Sequence, residues 1–314
     1  MAVWLVTGGS GFLGRHLLAE LAASPPPGAE VVALGRRCPP AWPLEAFVHA
    51  DLEDSASLSE ALGGLQPAVV LHAAGLTPPS RPEQLYRANT LATVQLLAAL
   101  KSLGRPVRVV LAGSAAELGP VAVDDLPVSE SYRARPVDAY GLSKWFATAA
   151  GLRCEPPLEV MVGRVFNPIG PGMPRSQAFG RFAELLAATG PDPVCLAVGD
   201  LDHRRDFVDI RDVARALIML ALRGHPGLVS HIGTGRSRRV GEGLERLIAL
   251  SGRAVIVEAS GSSRGPQDSR ADVRRLTEQT GWSPSVSWEQ SLADLWDEVR
   301  ARPVLTLTTA PSSV

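Results

Sequence analysis

Short, unbroken apolar runs alternate with segments of helical period through the first half of the chain. The runs Val3–Thr7, Glu30–Leu34, Ala46–Ala50, Ala68–His72 and Val107–Ala112 predict strands. Between the last two, Leu85, Ala92, Leu96 and Leu100 recur at helical spacing, and Arg15–Ala23 predicts a helix directly after the first strand. A strand–helix–strand rhythm predicts βαβ units, and so a parallel sheet with helices on both faces. Strands covered on both faces are apolar throughout rather than alternating. Val69-Val70-Leu71 and Val109-Val110-Leu111 have that character. The expected fold class is α/β, a doubly wound parallel sheet.

After about Val165 the rhythm loosens. Phe166–Met173 is rich in Gly and Pro, Ser176–Thr189 predicts a helix and Val194–Val198 a strand. Phe207–Ile210 and Val213–Leu222 predict a further strand and helix, Ala254–Glu258 another strand, and Ser260–Gln267 a polar loop. Leu292, Leu295, Trp296 and Val299 share one face of a last helix. Trp282 and Trp296 are expected to pack a small C-terminal lobe, and His16 and His72 to be packed rather than catalytic. Residues 303–314, rich in Thr, Ser and Pro, are expected to be disordered.

At 314 residues, 46% of them apolar, the chain can bury one large core or two modest ones. Its 31 basic and 32 acidic residues argue against a protein that coats nucleic acid or anionic lipid. Cys38, Cys154 and Cys195 lack metal-ligand spacing, so neither zinc nor a disulfide framework is expected, and a reducing cytoplasm is the expected compartment. No leader pattern and no long apolar span is present in the sequence, so no membrane segment is expected.

The first strand ends in Thr7-Gly8-Gly9-Ser10-Gly11-Phe12-Leu13-Gly14, and a helix follows. Glycines there allow a tight turn and close approach of the backbone, and the helix start offers N–H groups and a positive dipole end to a pyrophosphate. Gly8, Gly11, Phe12, Leu13 and Gly14 are therefore candidate dinucleotide contacts. About 20 residues on, where an acid would take the ribose hydroxyls of NAD, the chain has Gly35-Arg36-Arg37. Guanidinium groups grip a 2′-phosphate. The pair Arg36 and Arg37 thus predicts NADPH (NADP+) as cofactor, with NADH less favoured. Asp51-Leu52 is placed to meet the adenine, although Asp51 as a helix cap explains the acid equally well.

Tyr140 and Lys144 stand four residues apart, on one face of a helix. A phenol near its ordinary pKa of about 10 is a poor proton donor at neutral pH, and a neighbouring cation is expected to bring it down. Ser114 follows the fifth strand, at the carboxyl edge where ligands bind in open α/β sheets. Its hydroxyl is a candidate to hold a substrate carbonyl while Tyr140 exchanges the proton.

Over roughly residues 2–302 these motifs resemble an extended short-chain dehydrogenase/reductase of the NAD-dependent epimerase/dehydratase group. The resemblance rests on Thr7–Gly14, His72-Ala73-Ala74-Gly75, Asn89, Ser114 with Gly119, and Tyr140/Lys144. It implies a Rossmann domain over 1–165, to which 206–224 return, with 166–205 and 225–302 forming a smaller substrate-binding lobe. It also implies a Ser114–Tyr140–Lys144 triad beside the nicotinamide, Lys144 on the nicotinamide ribose, and Ala73, Ala74 and Gly75 lining the cofactor cleft. Asn89 would support the active-site helix at the cofactor site. Dimerisation through two helices per subunit is a further family expectation.

The second half carries the substrate signal. The segments Arg164–Gly172, with Asn167, and Gly199–Asp212, with Arg205, are similar to those of sugar-nucleotide enzymes, as is Arg264-Gly-Pro-Gln-Asp268. The resemblance puts Ser114 and Asn167 at the sugar, and Arg205 and Arg264 at the diphosphate. Pairing of these arginines with Asp206 and Asp268 is the structural alternative. The pattern is most similar to reductases of GDP-4-keto-6-deoxymannose. Ala115 and Ala116 stand where dehydratases carry acids, which disfavours dehydration, and Leu118 replaces a usual tyrosine. The reading is an NADPH-dependent ketoreductase of a nucleotide-linked 4-keto-6-deoxy sugar. The alternatives are a sugar-nucleotide epimerase, a ketoreductase tailoring a natural product such as a polyketide, and a non-catalytic NADPH-binding protein.

Overall fold

The computed structural model describes residues 1–188, 192–261 and 268–302. Arg264 and the tail 303–314 lie outside the described residues. The first half runs β1 (Ala2–Thr7), α1 (Phe12–Ala23), β2 (Ala29–Gly35), β3 (Phe47–His49), α2 (Ser55–Leu65), β4 (Val69–His72), α3 (Pro82–Leu85), α4 (Ala92–Ser102), β5 (Val107–Ser114) and α5 (Ala139–Leu152). The second continues with β6 (Leu158–Val165), β7 (Asn167–Ile169), α6 (Ala178–Ala187), β8 (Val194–Val198), β9 (Arg204–Asp209), α7 (Ile210–Arg223) and β10 (Val229–Ile232). It ends in β11 (Ser237–Arg239), α8 (Val240–Ser251), β12 (Val255–Ala259), α9 (Arg274–Thr280) and α10 (Trp288–Ala301).

Seven strands form the main sheet in the order β10-β6-β5-β4-β1-β2-β3, and every pairing in it is parallel. The order runs outward in both directions from the β1/β4 boundary. That reversal opens a crevice at the carboxyl ends of the strands, where such folds take their ligands. Side chains alternate between the faces as a pleated strand requires. Trp4 and Val6 join Leu17, Leu21, Val213 and Leu217 under α1 and α7, whereas Leu5 joins Leu58, Leu62, Leu96 and Leu100 under α2 and α4. Each fully buried leucine of these layers stabilises the fold by about 1.5–3 kcal/mol relative to exposure.

The remaining strands make two small sheets, β11-β9-β7 and β12-β8. They pack with α6, α8 and α10 around Phe179, Phe182, Leu244, Leu295 and Trp296. Phe179 is the hub, edge-on to Phe182, Phe207 and Trp288.

Three features depart from the reading of the sequence. β6 and β10 were not foreseen, because Glu159, Gly163 and Arg164 interrupt one apolar run and Ser230 and His231 the other, although both strands are central or fully covered. The segment from Leu85 to Leu100 is not one regular helix. A widened π-helical turn at Tyr86–Leu91 separates α3 from α4 and turns Asn89 inward. Such turns occur mostly at functional sites. Finally, Trp282 belongs to the core of the main sheet rather than to the small lobe, and its indole N–H donates to the Asp212 carbonyl on α7 at 3.1 Å.

Candidate active site

At the β1/β4 boundary the turn Gly8–Gly11 wraps the start of α1. Gly8 has φ +74, and a Cβ there would lie 2.6 Å from the Ala74 backbone, so only glycine fits. A Cβ on Gly14 would strike the Gly8 carbonyl, which lets α1 sit close beneath the turn. The helix start has no side-chain cap, leaving its first N–H groups as donors for an anion. A cleft of about 240 Å³ opens over this turn, lined by Gly8, Gly9, Ser10, Gly11, Arg36, Arg37, Asp51, Leu52, Ala73, Ala74 and Gly75. Both arginines are exposed. The cap of α2 is Asp54, not Asp51, and Asp51 accepts the Glu53 N–H at 3.0 Å. A bare helix start at one end and two cations at the other fit a phosphorylated dinucleotide.

Not every residue expected at the cofactor lines this cleft. Phe12 and Leu13 turn their side chains into the core, and Phe12 meets His16 edge-on. Asn89 is buried and works behind the wall. Its Oδ1 accepts the Leu76 N–H at 2.8 Å, while Nδ2 donates to the Leu76 carbonyl at 3.0 Å and to Ser143 Oγ at 2.9 Å. Asn89 thus ties the Gly75–Leu76 loop to α5, the helix that carries Tyr140 and Lys144.

Ser114 ends β5 and Tyr140 opens α5, where Asp138 caps the helix through the Gly141 N–H at 2.7 Å. The Ser114 side chain faces the Tyr140 phenol and favours its ionised form. Loss of water raises the phenol pKa, and the facing Ser114 side chain opposes that rise while Glu117 and Asp138 add to it. This runs against the expectation of a lowered phenol: burial sets the direction. Lys144 is lowered by burial, with Glu117 opposing. The Lys144 charge is felt by His72, whose pKa is pushed down to about 3 by burial first and by Lys144 second. His72 is packed, as the sequence suggested, with Nδ1 2.7 Å from Thr7 Oγ1 and Nε2 2.9 Å from Thr93 Oγ1. His16 is also packed, 2.9 Å from the Pro171 carbonyl.

Among the substrate-side residues, Asn167 opens β7 and donates to the Asp206 carbonyl at 3.2 Å. Arg205 lies on β9 directly across from Arg238 of β11, with Asp268 and Asp200 as its charged neighbours. Asp206 is no partner for it. That buried carboxylate accepts the N–H groups of Thr234, Gly235 and Ala271.

Sequence reading missed Glu117, Arg164 and His231, which join in a buried cluster beneath Ser114. The available signal was Ser114-Ala-Ala-Glu117, a capping-box spacing, which the structure uses.

A parallel sheet with a glycine turn at its switch point and a Ser–Tyr–Lys cluster at its carboxyl edge defines the class of nicotinamide-dependent Rossmann enzymes. The comparisons agree. Residues 4–233 match the model of the NAD dependent epimerase/dehydratase family. The chain belongs to that family and is an NAD(P)-dependent oxidoreductase of the extended short-chain dehydrogenase/reductase type. It is 32% identical to a GDP-6-deoxy-D-mannose reductase of Pseudomonas aeruginosa, over 95% of this chain and 97% of that one. It is 31% identical to a dTDP-6-deoxy-L-talose 4-dehydrogenase (NAD(P)(+)) of Kitasatospora kifunensis, over 95% and 96%. The structure of RMD from P. aeruginosa complexed with NADPH superposes with a TM-score of 0.85 at 30% identity, covering 96% of this chain and all of the other. Among the described residues no helix is long and apolar enough to cross a membrane.

Proposed function

We propose that the protein is an NADPH-dependent ketoreductase acting on a nucleotide-linked 4-keto-6-deoxy sugar. The observation that carries the reading is Ser114 facing the Tyr140 phenol at the carboxyl end of β5, on the sheet edge where the cleft holding Arg36 and Arg37 opens at the ends of β1 and β4. When bound, the reduced nicotinamide supplies a hydride to the ketone carbon. Gly8–Gly11 and the start of α1 hold its pyrophosphate, Arg36 and Arg37 hold the 2′-phosphate, and Lys144 holds the nicotinamide ribose. Ser114 hydrogen-bonds the substrate carbonyl oxygen, and the Tyr140 O–H gives that oxygen its proton. A phenol whose pKa is raised by burial rests in its protonated form at neutral pH, the form that reduction consumes. The resulting phenolate, next to the Lys144 ammonium, regains its proton from solvent.

Asn167, Arg205 and Arg264 are proposed on the sugar and diphosphate side, where planar multi-donor cations suit phosphate oxygens. The names of the two curated relatives support a keto-deoxysugar nucleotide. The test is consumption of NADPH absorbance by purified protein with such a substrate, alongside a thermal-shift panel of nucleotide sugars. Turnover with NADPH and stabilisation by the nucleotide sugar are expected. Epimerisation without net NADPH consumption would replace the reading, and a panel in which no nucleotide sugar stabilises the protein would remove the substrate class.

A further inference from the structure

We propose that Glu117, locked between Arg164 and the Ser114 backbone, is a positioning residue that fixes the Ser114–Tyr140 pair and places a negative charge beneath it. The proposal rests on the reading of that pair as the reductase site. Three neighbouring strands build the lock. Arg164 on β6 stands in register with Gly113 on β5 and with His231 on β10. Gly113 supplies the room, since a Cβ there would lie 2.7 Å from Glu117 Oε1.

Glu117 fills that slot completely buried. Its Oε1 accepts the Ser114 N–H at 2.7 Å. Its Oε2 accepts Arg164 Nε at 3.0 Å and Nη2 at 2.9 Å. Arg164 Nη1 donates onward to His231 Nε2 at 3.2 Å. The other ring nitrogen, Nδ1, lies 3.1 Å from the Val128 carbonyl, which can only accept. The ring is therefore neutral with its proton on Nδ1, and burial with the Arg164 charge pushes its pKa down to about 3. His231 thus stays an acceptor for Arg164 at any neutral pH.

Stability alone does not explain such a cluster, because well-packed apolar residues often replace a buried ion pair at no cost. Position does. With its N–H held by an anion and its Oγ accepting the Ala116 N–H at 3.2 Å, Ser114 has its hydroxyl proton left for Tyr140 or a carbonyl oxygen. Glu117 and Asp138 are the carboxylates that act on the Tyr140 phenol. Lys144 faces Glu117 on one side and neutral His72 on the other. Glu117 acts on both.

Glu117→Gln keeps an acceptor for the Ser114 N–H and removes the charge. In a near-ultraviolet tyrosinate titration of the ligand-free protein, assigned with Tyr140→Phe, the ionisation of Tyr140 should move to lower pH. The high-pH fall of kcat for ketone reduction should move the same way, with kcat down roughly tenfold to a hundredfold and KM for NADPH unchanged. Because Gln leaves Arg164 charged and buried, the neutral pair Glu117→Gln/Arg164→Met is the second variant, and the same shift is expected from it. An unmoved Tyr140 ionisation in these variants, whether or not they lose stability, overturns the proposal. The titration uses no substrate, so a wild type that reduces no ketone defeats the reductase reading alone.

Discussion

His72 offers a measurement of how deeply the sheet edge is sealed. Burial and the Lys144 charge hold its ring at a pKa of about 3, whereas an imidazole in an unfolded chain titrates near about 6.5. The folded value is the lower one. The ring therefore contributes stability that is complete above about pH 6.5 and is lost as the pH falls towards about 3. Between about pH 7 and about pH 5 the loss from this one ring comes to about 2 kcal/mol, out of a typical total of about 5–15 kcal/mol. His231, also near 3, adds a similar amount. Asp206, raised by burial, works in the opposite direction, so the wild type must be compared with a variant at both pH values. His72→Gln presents an amide to Thr7 and Thr93 and has no proton to gain. Urea unfolding followed by tryptophan fluorescence should show the variant losing about 2 kcal/mol less than wild type over that interval. Parallel losses in the two proteins would refute the assignment of the acid sensitivity to this ring.

Other outcomes follow from the site. Replacing Arg36 and Arg37 together by alanine should weaken NADPH binding by about 1.5–3 kcal/mol per lost charged hydrogen bond and leave NADH binding nearly unchanged, as read by nicotinamide fluorescence. Tyr140→Phe should retain NADPH binding and lower kcat by about 10²–10⁴-fold, measured by steady-state NADPH oxidation. Gly8→Ala, which combines a φ of +74 with a Cβ 2.6 Å from the Ala74 backbone, should cost about 1–3 kcal/mol in thermal unfolding and weaken cofactor binding.

The parts legible in the sequence were those written in adjacent residues. Val3–Thr7 followed by a glycine turn announces a strand and a phosphate-ready helix start, because both are local chain properties. Tyr140 and Lys144 are legible for the same reason, one helical turn apart. The Glu117–Arg164–His231 cluster was not, since its members come from three strand ends and meet only when β5, β6 and β10 lie side by side. The same polar residues hid β6 and β10 by breaking their apolar runs. The direction of the Tyr140 shift was misjudged because spacing reveals a nearby cation but not the loss of water around the phenol. Asn89 was expected to support the active-site helix, and it bonds to Ser143 of that helix; the widened turn at Tyr86–Leu91 that aims it there was not legible in the spacing.

The placement of Trp282 bears on how this architecture can be cut and recombined. The indole is nearly the last large side chain before α10, yet with Leu276 it plugs the layer beneath α7. A chimera that keeps the nucleotide half up to residue 233 and borrows the remainder from a relative must also import a plug that fits, or it will inherit a hole under its own sheet. Shuffling boundaries in this molecule therefore run through space, around the indole, rather than through any single peptide bond.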